Sequence, residues 1–227
     1  MSRTRACDMI TRGLACPAPA RYDRAMVVTR LPMNATYDDL LAAPEDVTTE
    51  LIDGELFMSP QPKVRHSIAA SAIGRDVGHR FGRRGAPDEG WPGGWWILDE
   101  PEIHLALDRR VVVPDVAGWR RERMPNPTRD THKMTVVPDW VCEVLSPGSR
   151  RFDYLKKMPA YARAGVGWLW MVEPADRQLV VYEREGEEWV ERMAFEGSVA
   201  ARLRPFEAVE LDLGEWWEEP EGAVERG

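Results

Sequence analysis

Two apolar stretches with an acidic residue inside each decide the fold of this chain: RRVVVPDVAGW at residues 109–119 and VVPDWVCEVLSP at residues 136–147. Their valine-rich runs, bounded by polar segments and proline, are typical of buried β-strands. Asp115 lies in the first stretch and Glu143 in the second. Burying a carboxylate among Val and Leu side chains is unfavourable unless a positive charge compensates it, so these two residues are the first candidates for a functional site.

Helical and strand-like patterns alternate around these stretches. An apolar stripe predicts a helix over residues 66–85, and alternating polarity predicts a strand over residues 101–108. After Glu143, residues 157–165 are typical of a helix and residues 167–174 of a further strand. The resulting order of helix, strand, strand, strand, helix and strand indicates an α/β fold.

Turn signals predict additional β structure at both ends of this core. Asp53 and Gly54 separate two β-compatible runs in ELIDGELF, and a tight hairpin turn of this kind needs positive φ values. Residues 178–185 and 187–195 predict a closing hairpin. A capping box of Thr36 and Asp39 predicts a short helix ahead of the first hairpin.

Length and charge distribution suggest how the chain is organised. The chain has 227 residues with a net charge of −8, and we expect a tail at residues 1–33, a single domain at 34–214 and an acidic tail at 215–227. Residues 183–227 hold 14 acidic and 5 basic residues, so the remainder is close to neutral and a nucleic-acid partner is not excluded.

Composition also excludes several classes of protein. No apolar run is long enough to span a membrane, and the start of the chain lacks the apolar segment of a secretory signal. The three cysteines form no CxxC pair, which argues against a disulfide framework and a thiolate zinc site. These features predict a cytoplasmic protein that has no membrane partner.

The two strand acids have two physical interpretations. Neighbouring carboxylates repel each other, and a bound divalent cation removes that repulsion. Alternatively, each acid lies at the end of a strand and pairs with an arginine. The stretch of residues 150–163 holds five basic residues against Asp153 alone, and a cation there could stabilise charge on phosphate oxygens or simply face solvent.

Five motifs occur in a characteristic order along the chain. They are ELIDGEL (50–56) followed by His66, VPDV (113–116), EVLSP (143–147), KMPAYARAGV (157–166) and WLWMV (168–172). In this order the chain resembles the Uma-two family, which is classed with restriction endonucleases in the PD-(D/E)XK nuclease superfamily, from about Tyr37 to Tyr182. The resemblance implies a restriction-endonuclease-like core with added terminal β-hairpins.

The resemblance also implies a set of site residues. Asp115 matches the aspartate of the PD motif, and Glu143 matches the acid of the E-x-K position. The residue two positions after Glu143 is Leu145, so Lys157 is the implied replacement for the usual lysine. The backbone carbonyl of Val144 would be a third ligand, beside the two carboxylates, for Mg²⁺ or Mn²⁺. Glu50 and His66 match recurrent family positions, which implies auxiliary roles for both.

The implied reaction is metal-assisted hydrolysis of DNA, in which a metal-bound water attacks phosphorus and Lys157 orients the water or stabilises the phosphate. A nuclease needs a basic surface for its substrate, and the candidates lie between residues 61 and 85 and between residues 118 and 133. The first group comprises Lys63, Arg65, Arg75, Arg80, Arg83 and Arg84. Cutting both strands of duplex DNA suits a homodimer.

Two alternatives to the endonuclease stay open. A catalytically weak or inactive protein of nuclease fold could bind nucleic acid or a protein partner, since a fold does not guarantee its chemistry. A small-molecule hydrolase could use the same metal pair. The tryptophans give little further guidance: Trp91, Trp95 and Trp96 lie in or just after a Gly-rich loop and could reach a ligand, while Trp216 and Trp217 could anchor the chain end or a dimer.

Overall fold

The structure, a computed structural model, describes residues 29–30, 34–83, 91–106, 109–127 and 130–217. Three parts of the sequence predictions lie outside these residues. They are Arg84, nearly all of the predicted tail at 1–33, and residues 218–227 of the predicted acidic tail.

The described residues form a mixed α/β fold, as predicted. The helices are α1 (Tyr37–Leu41), α2 (Val64–Phe81), α3 (Arg150–Phe152), α4 (Met158–Ala164) and α5 (Gly214–Trp217), with a π-helical turn at Asp153–Lys157. The strands are β1 (Thr29–Arg30), β2 (Thr48–Ile52), β3 (Glu55–Ser59), β4 (Trp95–Asp99), β5 (Ile103–His104), β6 (Arg110–Val112), β7 (Val116–Arg120), β8 (Trp140–Val144), β9 (Trp168–Glu173), β10 (Gln178–Glu185), β11 (Glu188–Glu196), β12 (Ala200–Ala201) and β13 (Leu211–Asp212).

The strands form two larger sheets and a small one. The six-stranded sheet has the order β11-β10-β9-β8-β7-β4, and the five-stranded sheet has the order β1-β3-β2-β6-β5, while β12 pairs with β13. Within the six-stranded sheet, β8 and β9 are parallel and the other pairs are antiparallel. The parallel pair requires a crossover connection, which the helical residues 150–164 supply.

Both predicted hairpins and the capping box are present. Asp53 and Gly54 have φ values of 52° and 83° at the turn between β2 and β3, as the Asp-Gly signal predicts. Strands β10 and β11 pair as the closing hairpin. The Thr36 side chain accepts from the Asp39 amide, and the Asp39 carboxylate accepts in return from the Thr36 amide.

Two strand predictions were wrong in position. The first strand of the six-stranded sheet after α2 is β4, the segment WWILD, and not residues 101–108. Among the described residues 101–106, only Ile103–His104 form a strand, β5, which belongs to the other sheet. The predicted strand at 109–119 is divided: β6 lies in the five-stranded sheet and β7 in the six-stranded sheet. Pro114, which lacks an amide donor, lies where the chain passes from one sheet to the other.

The six-stranded sheet is packed on both faces. Helix α2 and residues 201–217 pack on the face that carries Trp140 and Cys142, whereas α4 and the five-stranded sheet pack on the face that carries Val141. Because successive strand residues point to opposite faces, Glu143 shares the face of Val141 and points toward α4.

The chain end packs back on this core. Trp216 and Trp217 of α5 are buried in the cluster that contains α2, so within the described residues they are anchors of the chain's own fold. Glu215, the first residue of the predicted acidic tail, contacts Arg75 of α2. None of the helices in the described ranges is both long and apolar enough to cross a membrane.

Candidate functional site

Asp115 lies at the point where the chain enters β7 after leaving the five-stranded sheet. The pairing of β7 with β8 ends at Val116 and Cys142. Two residues beyond Cys142, the Val144 amide donates to the Asp115 carboxylate, with 2.6 Å between the Val144 nitrogen and Oδ2. Its Oδ1 lies 3.1 Å from Nε2 of His66, a residue in the first turn of α2. The carboxylate of Asp115 is therefore held by two elements at one end of the sheet.

Glu143 is a buried residue of β8, and its side chain points toward the helical crossover of residues 150–164, called the crossover helix below. The Lys157 ammonium group lies 2.8 Å from both of its carboxylate oxygens, and the Tyr161 hydroxyl group donates to Oε1 over 2.5 Å. Since Asp115 is hydrogen-bonded to Val144, the residue directly after Glu143, the two acids lie on neighbouring strands at the same end of the sheet.

Lys157 is surrounded by oxygen atoms. Its Nζ contacts the Glu143 carboxylate, the Val113 carbonyl oxygen at 3.1 Å and Oε1 of Glu50 at 3.2 Å. The same Glu50 oxygen accepts from the Val113 amide over 2.8 Å. Lysine has three protons to donate, and these three groups can accept all of them. The residue is only 4 % exposed, so Lys157 is an internal counter-ion of the two glutamates.

A π-helical turn gives the crossover helix its functional face. The amide of Met158 donates to the carbonyl of Asp153, a five-residue spacing that widens the helix by one residue. Asp153, Lys157 and Tyr161 follow one another at intervals of four, the spacing that places side chains on one helix face. All three are buried, and Asp153 and Lys157 line the same cleft.

Burial, together with repulsion from neighbouring carboxylates, raises the pKa values of two acids in this cleft, Glu143 and Asp153. Burial, opposed by the Lys157 charge and assisted by neighbouring carboxylates, holds the pKa of Glu143 well above its usual range. The same causes raise the pKa of Asp153 to about 7. Burial alone would lower the pKa of Lys157, but the adjacent carboxylates, Glu143 foremost, raise it above its usual value. Lys157 therefore keeps its proton.

His66 completes the polar lining of the cleft. Burial lowers its pKa, but the hydrogen bond and negative charge of Asp115 outweigh burial and raise it overall. Its Nδ1 is buried and has no hydrogen-bond partner among the described residues. His66 therefore contacts the site through Nε2 and Asp115.

The donors in the cleft fit a hard divalent cation. Four carboxylates, from Glu50, Asp115, Glu143 and Asp153, share the cleft with Lys157 and His66. Burial is the main cause of the raised pKa values of Glu143 and Asp153, and the neighbouring carboxylates add to it. Within the described residues, no three His, Cys, Asp or Glu side chains converge closely enough to hold a metal alone. Carboxylate oxygens are nevertheless the ligands that hard divalent cations prefer.

The structure brings together six of the residues that the sequence singled out. One cleft is lined by Glu50, His66, Asp115, Glu143, Val144 and Lys157. Two further residues belong to this network, Asp153 and Tyr161, and sequence reasoning missed their part in it. The signal that could have found them is the four-residue spacing of Asp153, Lys157 and Tyr161 along one helix.

The described members of the predicted DNA-binding group are spread along α2 and lie on more than one of its faces. Lys63 and Arg65 lie at the start of α2, close in sequence to His66, whereas Arg80 lies about 22 Å beyond Arg65 along the helix axis. Arg75 is two and a half turns from His66, hence on the opposite face, and it contacts Asp76 and Glu215.

Several basic residues at the far end of α2 and β7 stack on tryptophan rings. The guanidinium of Arg83 lies 4.9 Å from the ring centroid of Trp91, and that of Arg120 lies 4.6 Å from the centroid of Trp95. Trp95 is buried in β4 and is not a loop residue that reaches a ligand.

Comparisons with known proteins agree with this architecture. The model of the Uma-two family, described as "Uma2: Putative restriction endonuclease", matches residues 35–214. Among solved structures, the chain is similar to the crystal structure of a "putative nuclease belonging to DUF820" from Anabaena variabilis ATCC 29413. The TM-score is 0.62 at 20 % sequence identity, and the alignment covers 80 % of this chain and 97 % of the other. No curated protein matches the chain.

Proposed function

Because the chain belongs to the Uma-two family of restriction-endonuclease-like proteins, we propose that it is a metal-dependent endonuclease that hydrolyses phosphodiester bonds of DNA. The observation that carries the proposal is the pairing of two acids across neighbouring strands: Asp115 accepts from the amide of Val144, directly after Glu143. We further propose that α2, the strands β4, β7 and β8, helix α4 and strand β9 form the restriction-endonuclease-like core.

The carboxylates of Asp115 and Glu143 and the carbonyl of Val144 would hold Mg²⁺ or Mn²⁺. A residue in a strand directs its N–H and C=O to the same side, so the Val144 carbonyl faces the side on which Asp115 binds the Val144 amide. When bound, such an ion lowers the pKa of a coordinated water and offsets negative charge on the phosphate.

The surrounding side chains prepare the two acids for this task. Lys157 stabilises the ionised form of Glu143 and fixes its orientation, since the ammonium group contacts both carboxylate oxygens. Its three oxygen contacts favour this role over the direct contact with water or phosphate that the family resemblance implies. Glu50 holds Lys157 in turn, and His66 orients Asp115 through Nε2.

The substrate reaches the cleft from the side where α2 begins. Lys63, an exposed residue directly before that helix, and Arg65 in its first turn would contact the DNA phosphates. Cleavage of both strands of a duplex would require two such clefts, so the proposal includes a homodimer. Sedimentation of the protein with and without a short DNA duplex tests that part separately.

The direct test is a cleavage time course on supercoiled plasmid with Mg²⁺ or Mn²⁺, with EDTA as the metal-free control. Asp115→Asn should abolish cleavage and weaken Mn²⁺ binding, because the amide is a poor metal ligand. Asp176→Asn, an exposed residue in the turn after β9, is the matched control and should cleave as the wild type does. Cleavage that persists in EDTA or in Asp115→Asn would contradict the proposal.

One observation favours a second candidate, a nuclease-fold protein that binds nucleic acid without cutting it. Lys157 is buried and donates its N–H groups to protein oxygens, so among the described residues that line the cleft no lysine is left to contact the substrate. DNA binding without cleavage by the wild-type protein, over a range of substrates and at saturating Mn²⁺, would support this candidate instead.

A further inference from the structure

Tyr161 has a buried hydroxyl group that is committed to a single acid. The residue is 0 % exposed, and its Oη donates to Oε1 of Glu143 over 2.5 Å. Its ring packs in the apolar cluster between the six-stranded sheet and α4. A phenylalanine could fill the same apolar space, so packing alone does not account for the hydroxyl group.

Tyr161 and Lys157 together fix the Glu143 carboxylate. They lie one turn apart on the crossover helix, and Lys157 contacts both oxygens while Tyr161 contacts only Oε1. The terminal torsion of a glutamate side chain is broad when nothing constrains it. Two donors on one rigid helix remove that freedom and leave the carboxylate plane in a single orientation.

Strand β8 connects the Glu143 carboxylate to the partner acid, Asp115. Val144 follows Glu143 in β8, and its amide is bound by Asp115, so the backbone of the second acid is fixed by the first. Only the side-chain torsions of Glu143 could then vary, and Tyr161 and Lys157 restrain them. An acid held in this way loses little conformational freedom when it coordinates an ion.

We propose that Tyr161 is a positioning residue, whose hydroxyl group holds the Glu143 carboxylate in its metal-binding orientation. This inference rests on the proposed metal-dependent nuclease function. Because Tyr161 contacts Glu143 but does not itself line the cleft, its effect should appear in metal affinity. Residues that orient metal ligands commonly affect metal affinity by about 10- to 100-fold.

The test compares Mn²⁺ binding by wild type and Tyr161→Phe, measured by titration calorimetry and by the electron paramagnetic resonance signal of free Mn²⁺. We expect the dissociation constant to rise by about 10-fold or more. Cleavage measured at saturating Mn²⁺ should return to within a few fold of the wild-type rate, because the substitution weakens metal binding and leaves the reacting groups in place.

The matched control is Tyr182→Phe, which removes a hydroxyl group that hydrogen-bonds to Tyr154 outside the cleft. It should bind Mn²⁺ as the wild type does. Unchanged Mn²⁺ affinity in Tyr161→Phe, or an equal loss in Tyr182→Phe, would overturn the inference. Failure of the wild-type protein to bind Mn²⁺ would instead overturn the proposed function and this inference with it.

Discussion

Asp115 and Val144 are joined by a hydrogen bond of 2.6 Å between a side-chain carboxylate and a backbone amide. The bond forms where the chain has just crossed from the five-stranded to the six-stranded sheet, so the position of Asp115 depends on both sheets. It also fixes the backbone next to Glu143. The relative position of the two acids is thus set by the fold itself, before any ion or substrate binds.

Replacing Lys157 should destabilise the protein strongly. Lys157→Met leaves the Glu143 and Glu50 carboxylates buried without their counter-ion, and breaking a buried ion pair from one side typically costs about 3–5 kcal/mol. Urea unfolding at pH 8 measures this loss. It should be smaller at pH 6, where Glu143, with its raised pKa, more readily takes up a proton.

The neighbouring Lys156→Met is the control for this experiment. The Lys156 side chain is 41 % exposed and pairs with Glu55, a partly exposed contact that contributes about 0–1 kcal/mol. A loss of stability in Lys157→Met no greater than that in Lys156→Met would mean that the buried ion pair does not stabilise the fold.

Ionisation of the buried Asp153 carboxyl group should make the protein less stable as pH rises. Its pKa is raised from the usual 3.8 to about 7 in the folded state, so between these values the folded protein binds a proton that the unfolded chain has released. Stability therefore decreases from about pH 4 to pH 7, with a slope of at most about 1.4 kcal/mol per pH unit for one group. The cause is the burial of the ionised carboxylate.

Asp153→Asn tests that assignment, because it removes the titration and keeps the size of the side chain. Urea unfolding between pH 5 and pH 8 should give a shallower slope for the variant and greater stability at pH 8. Glu143 and His66 also have raised pKa values and act in the same direction, so part of the slope should persist. Equal slopes in both proteins would show that Asp153 does not titrate in this range.

The candidate acids were predictable because their local sequences conflict with their polarity. Asp115 and Glu143 stand inside apolar runs, and a charge that must be buried is visible without a structure. The Asp53-Gly54 turn was predictable for a similar reason, since few residue pairs tolerate two positive φ values. In each case one local constraint was enough to single out the residues from the sequence.

Strand membership depends on contacts that the sequence does not record. WWILD begins with adjacent tryptophans and shows no alternation of apolar and polar residues, yet it forms β4 of the six-stranded sheet. Residues 111–119 form one run that is apolar except for Asp115, but residues 109–119 contribute to two sheets on either side of Pro114. One long strand and two strands in different sheets are equally compatible with this pattern of apolar residues, so the pattern alone could not distinguish them.

Two glycines should respond in opposite ways to substitution by alanine. Gly165 ends α4 at φ 94°, where an L-residue is strained although no atom lies within 4 Å of an added Cβ, so Gly165→Ala should cost about 1–2 kcal/mol. Gly78 lies within α2, and an added Cβ would be 3.9 Å from Ile97, so Gly78→Ala should stabilise by about 0.5–1 kcal/mol. Thermal unfolding measures both, and changes of the same sign would contradict the prediction.

DNA affinity should depend on the basic residues at the start of α2. Lys63 is exposed directly before the helix that carries His66, and it follows Pro62, which lines the cleft. Lys63→Gln should weaken binding of a DNA duplex, and the slope of log affinity against log salt concentration should decrease by about 0.9, the value for one lost phosphate contact. Fluorescence anisotropy at several salt concentrations, with EDTA to prevent cleavage, measures both quantities.

Arg75→Gln is the control on the same helix. Arg75 is on the face opposite His66, and its guanidinium group already contacts the carboxylates of Asp76 and Glu215. DNA affinity and its salt dependence should therefore match those of the wild type. An effect of Arg75→Gln as large as that of Lys63→Gln would place the DNA along the outer face of α2, away from Asp115 and Glu143, and would separate binding from the proposed site of cleavage.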